Sequence, residues 1–76
     1  MSDTIPYIQL DVRGLPAPEP MVRILEATAT MQPGATLTVL HNRVPTLIYP
    51  RLAERGLLVE TIEGSEGVVE LIIKRP

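Results

Sequence analysis

Apolar and polar residues alternate strictly along "YIQLDV", with Ile8, Leu10 and Val12 on one face and Tyr7, Gln9 and Asp11 on the other. That is the period of a half-buried strand. The period then lengthens. Along "EPMVRILEATATM", Met21, Ile24, Leu25 and Thr28 fall at i, i+3, i+4 and i+7, with Arg23 and Glu26 away from the stripe, which predicts a helix packed on one side only. Pro18 can open it, because the N–H that proline lacks has no partner in a first turn. "QPGA" stops the helix, and "TLTVL" resumes alternation with Leu37 and Val39 inward and Thr36 and Thr38 outward.

After "HNRVP" a second, shorter helix is expected through Arg51, Leu52 and Ala53 to Arg55, closed by Gly56 as a left-handed cap. Thr46 is the obvious N-cap. It would, however, place Pro50 where a backbone N–H is wanted and require Tyr49, which precedes a proline, to be helical. A start at Ile48 or Tyr49 avoids both costs. "LLVETIE" and "VVELIIK" then read as two strands joined by "GSEG", whose glycines suit a hairpin loop. In the last strand Glu70 and Lys74 alternate with Val69, Leu71 and Ile73.

The order is thus β-α-β-α-β-β. Helical crossovers make the first three strands parallel, and their right-handedness puts both helices on one face of the sheet. The predicted fold class is α/β, a two-layer sandwich. The open sheet face would carry Tyr7, Gln9, Asp11, Thr36, Thr38, Glu70 and Lys74 toward water, interrupted by apolar area from Leu58, Ile62, Val68 and Ile72.

Composition narrows the function classes. At 76 residues the chain is one domain near the size where burial only just outweighs chain entropy, so association with a partner would help it, and residues 1–5 are expected to be a flexible end. Seven basic residues against nine acidic ones, scattered rather than clustered, give no footprint for nucleic acid. No segment approaches a membrane span or a signal peptide, so a cytoplasmic protein is expected. Without cysteine there is no disulfide, thiolate catalysis or thiolate metal site. His41 is the only histidine, which makes a poor metal site, and the glycines lack phosphate-loop spacing. No cofactor or metal is expected. Neither a Ser-His-Asp order nor a carboxylate pair can be argued, so the expectation is a chain that is not an enzyme.

One stretch is more specific. "LDVRGLPAPEP", Leu10 to Pro20, resembles the opening Leu-Asp-x-Arg-Gly-Leu-x-Cys-Pro-x-Pro of the TusA/SirA family of small sulfur-relay proteins, with Ala17 where that family has cysteine. The likeness continues through "QPGATLTVL", Pro50, Gly56 and the final hairpin. It is nearest to the cysteine-lacking SirA-like domains of unknown function, which also occur beside hemerythrin-like domains. The resemblance implies a four-stranded mixed sheet in which the fourth strand lies between the second and third, antiparallel to the rest, giving the order 1-2-4-3.

In the sulfur carriers, the resemblance implies, the cysteine sits at the first helix's start, where the dipole favours a thiolate. Ala17 keeps the position and removes the sulfur chemistry. The family's aspartate before the second helix aligns with Ile48, and its "D-P" after the second strand becomes "RVP". Because the first two strands run parallel, "RGLPAPE" and "HNRVP" emerge at one sheet edge, where open α/β sheets bind ligands. Arg13, Glu19, His41, Asn42 and Arg43 could converge there, with Pro16, Ala17 and Pro18 forming a preorganised loop. Blander roles stand beside these. Glu19 could simply complement the helix dipole, His41 make a local hydrogen bond at a strand end, and Arg13 brace the loop against Asp11. The expected function is a non-catalytic binding or regulatory module that docks a protein partner. The alternative is a domain binding a small anion or redox metabolite through Arg13, His41 and Arg43.

Overall fold

The structure, a computed structural model, describes residues 7–76; the expected flexible end at residues 1–5 lies outside the described residues. The element order is β1 (Tyr7–Asp11), α1 (Glu19–Ala29), β2 (Thr36–His41), α2 (Ile48–Glu54), β3 (Leu58–Glu63) and β4 (Val69–Lys74), with a short 3₁₀ turn (Ser65–Gly67) inside the last hairpin. The sheet order is β1-β2-β4-β3. β1 and β2 are parallel, as the helical crossover predicted, and β4 runs antiparallel to both β2 and β3, as the resemblance implied.

Period-two alternation sets the core. Leu37, Val39, Leu71 and Ile73 point to the helical side and are fully buried, meeting Ile24 and Thr28 of α1 and Ile48 and Leu52 of α2. Each such side chain removed from water contributes roughly 1.5–3 kcal/mol. The polar back of each helix faces solvent, as the stripe in α1 predicted. Two departures have the same cause, position in the sheet. Ile8, expected inward, is 43% exposed because β1 is an edge strand. Thr38, expected to meet water, is 3% exposed, since it lies in central β2 between Gln9 and Ile72 of the flanking strands. Leu58 and Ile62, on edge strand β3, remain exposed as anticipated.

The helix ends follow local chemistry. α1 starts after Pro18, with Pro20 in its first turn. It stops at Ala29, short of the Met31 that the sequence pattern suggested, and Met31 is instead buried below it. α1 has no basic residue in its last turn, and Arg55 and Arg75 donate from elsewhere to the carbonyls of Leu25 and Thr28, at 3.2 and 3.1 Å. α2 begins at Ile48, so Tyr49 does take helical geometry before Pro50; the proline still falls in the first turn, where its missing N–H leaves no bond unmade. Its other end is a Schellman cap. Gly56 has φ +77°, the Leu57 N–H donates to the Leu52 carbonyl at 3.1 Å, and the Gly56 N–H donates to the Ala53 carbonyl at 2.9 Å.

Candidate functional site

The loops after β1 and β2 do meet at one edge of the sheet. After Asp11 the chain turns through Gly14, whose φ of +81° disfavours any other residue, and the Glu19 N–H donates to the Pro16 carbonyl at 2.9 Å as α1 begins. Opposite, β2 ends at His41, which continues the inward series of Leu37 and Val39. Between the start of α1 and the β2–α2 loop lies a cavity of about 180 Å³. Ala17, Pro18, Pro20 and Met21 line one side, His41, Asn42 and Arg43 the other, and Leu15, Ile24, Val44, Leu47 and Ile48 supply apolar wall.

His41 is 4% exposed and its orientation is fixed locally. The backbone N–H groups of Asn42 and Arg43 both donate to its Nδ1, at 2.9 and 3.3 Å. Nδ1 must therefore be unprotonated, which leaves the ring's proton on Nε2. Burial pushes the imidazole below its usual pKa, against an opposing contribution from the Asn42 side chain, and the nearby Arg43 cation lowers it further. The ring is thus a neutral donor at pH 7. Among the described residues, Nε2 has no protein acceptor, yet it is not sealed from solvent, and the residue lines the cavity.

Not every candidate joins this group. Arg13 is turned back on Asp11, donating its backbone N–H and Nε to Oδ1 at 3.0 and 2.9 Å and a terminal guanidinium nitrogen to Oδ2 at 2.8 Å. These hydrogen bonds hold the Asp11 carboxyl at a pKa of about 2. Arg13 therefore braces the loop and does not line the cavity. Glu19 pairs with Arg23 one turn on, at 3.1 Å, and is likewise absent from the lining. The expected convergence of Arg13 and Glu19 with His41 is corrected accordingly: each found a partner within four residues of itself. Pro16 is exposed beside the cavity without lining it, whereas Ala17, Pro18, His41, Asn42 and Arg43 do come together.

The sequence reading missed the apolar wall, above all Met21 and Leu47. Leu47, 73% exposed, is the most exposed large apolar residue described, and its place after "VPT", outside any periodic pattern, was the signal available. Among the described residues no group of His, Asp or Glu could hold a metal ion. No described helix is long and apolar enough to cross a membrane.

Comparison with known proteins places this geometry. A search among curated proteins returns no match. The chain is similar in structure to a SirA-like protein from Desulfitobacterium hafniense, with a TM-score of 0.74 and 26% sequence identity over 87% of this chain and 93% of that one. The family model described as "Uncharacterized conserved protein (DUF2249)" matches residues 9–75, from mid-β1 to just beyond β4. A four-stranded sheet of order 1-2-4-3, a proline-framed start to α1 and a family match over nearly its whole length lead to one conclusion: the chain belongs to the DUF2249 family and has the SirA-like fold.

Proposed function

We propose that this protein is a cytoplasmic, non-catalytic binding module that docks a protein partner around the rim of the cavity. The observation that carries the reading is the rim itself. Pro16, Ala17 and Pro18 are exposed along one side, Leu47 stands exposed on the other, and the site that holds a thiol in the sulfur carriers it resembles holds only an alanine methyl. Three prolines within five residues restrict the loop before any partner arrives, so binding would order little further backbone. The non-catalytic part is supported by the lining, which contains no cysteine, serine, lysine or carboxylate, and by the engagement of His41 Nδ1 with the loop backbone, which denies that nitrogen the role of a base.

Affinity capture from a native lysate tests docking, comparing wild type with Pro16→Ala and Leu47→Asp. A partner held by the wild type and lost by Leu47→Asp is the expected result. Capture of nothing, or equal retention by all three, refutes it.

A second reading, binding of a small anion, is favoured by charge. In a chain of net charge −2, the cavity lining has Arg43 and no carboxylate, and among the described residues Arg43 makes no ion pair. Titration of the labelled protein with a panel of small anions should move the amide resonances of His41, Asn42 and Arg43 together, and an unresponsive panel removes this reading.

A further inference from the structure

The small-anion reading can be deepened, because the cavity's two halves differ in chemistry. One half is a charge and a donor. Arg43 supplies an unpaired guanidinium, and the nearly buried His41 presents an Nε2–H with no acceptor among the described residues. Open to solvent on the cavity side, this N–H can exchange its water for a ligand oxygen at little cost. The start of α1 adds a favourable dipole, but Pro18 and Pro20 have no N–H to offer, so donors come from the β2–α2 side, from His41 together with the Asn42 amide and the Thr46 hydroxyl. The other half is apolar, walled by Leu15, Met21 and Ile24.

These halves select against most anions. A phosphate or sulfate carries its charge on every side and would lose hydration against the aliphatic wall without gaining donors there. An apolar molecule without charge would leave Nε2–H and Arg43 unanswered. At about 180 Å³ the cavity is also smaller than the roughly 300–1,000 Å³ typical of sites for drug-sized ligands, which suits a ligand of a few heavy atoms.

We infer that the cavity is a binding site for a short-chain aliphatic monocarboxylate, with the carboxylate between His41 Nε2–H and the Arg43 guanidinium and the alkyl chain against Leu15, Met21 and Ile24. Because His41 acts as a neutral donor, binding requires no proton uptake by the ring. Specificity comes from the combination of one polar end and a short apolar wall.

The test is a two-dimensional amide NMR titration of the full chain at pH 7 with butyrate, n-butanol and inorganic phosphate. Butyrate should give saturable shifts at Ala17, Met21, His41, Asn42 and Arg43 in the millimolar range, as suits so small a ligand. Butanol and phosphate should bind at least about tenfold more weakly, as loss of a charge-assisted contact or of the apolar match requires. Two exposed positions provide controls that spare the core. Ala17→Leu, which fills the cavity, should abolish butyrate binding, and Arg43→Gln should weaken it about tenfold. Lys74→Gln, an exposed position paired with Thr36 at the far end of β2 from His41, should leave it unchanged.

Equal affinity for butyrate and butanol overturns the inference, as does the absence of saturable shifts. Preferential phosphate binding at the same residues also overturns it, while leaving the small-anion reading standing. A peptide ending in a free valine carboxylate is the last arm. Tighter binding of that peptide than of butyrate, lost on amidation, would assign the site to a chain terminus and overturn the free-acid inference.

Discussion

Replacing His41 by Phe separates the local role of this residue from any ligand role. Phenylalanine keeps a ring of similar size on the inward side of β2, so little packing is lost; what disappears is the acceptor at Nδ1. Two backbone N–H groups, of Asn42 and Arg43, then lose their partner. A net hydrogen bond is worth about 0.5–1.5 kcal/mol. Both residues are exposed, so water can replace part of the loss, and about 1–2 kcal/mol of destabilisation is expected. For a domain of this size that corresponds to a fall in Tm of roughly 5–15 °C. Thermal unfolding at pH 7.5, followed by far-UV circular dichroism, measures it.

The same experiment has a pH component with a defined sign. The folded-state pKa of His41 lies below the ordinary 6.5, mainly through burial, so the unfolded chain takes up the proton first. The wild type therefore has its full stability from this residue above pH 6.5 and loses it as pH falls from there through the folded pKa. His41→Phe lacks that component. The gap between the two proteins should narrow between pH 7.5 and pH 5. A variant as stable as wild type at pH 7.5, or a gap that widens on acidification, refutes the neutral, Nδ1-accepting imidazole.

Three further predictions follow from the site and the fold. Ala17→Cys should give a thiol with a pKa lowered by roughly half a unit from the ~8.5 of free cysteine, through the α1 dipole and Arg43, as read from alkylation rate against pH; a value at or above the free one shows that this helix end does not favour anions. Gly56→Ala should cost roughly 1–2 kcal/mol in urea denaturation, because φ of +77° strains any L-residue although nothing stands within 4 Å of the added Cβ; unchanged stability would mean the cap relaxes. Leu71→Ala, a fully buried residue in the middle of β4, should cost about 2–5 kcal/mol by the same measurement, and a loss under about 1 kcal/mol would contradict the central place given to that strand.

Alternation and helical period along the chain were enough to determine the elements, their order and which face of each turned inward. Those patterns reflect burial of one side only, and Leu37, Val39, Leu71, Ile73 and Ile24 are buried as their spacing required. Gly56 announced its cap because only glycine takes that backbone geometry without strain. The sheet order and the antiparallel β4 came from the resemblance rather than from periodicity, which carries no information about which strands are neighbours.

Other features were decided only by tertiary structure. Ile8 and Thr38 obey the same alternation as their neighbours, yet one is exposed and the other buried, because exposure depends on whether a strand is at the edge or the centre of the sheet. Arg13 and Glu19 have the chemistry of binding residues, but each is claimed by a charge within four residues of itself, and rotamer geometry settles that competition. The cavity is the clearest case. Met21 is twenty residues from His41, and with Leu47 they belong to three different patterns; they face a common space only because parallel β1 and β2 bring their following loops to one edge of the sheet.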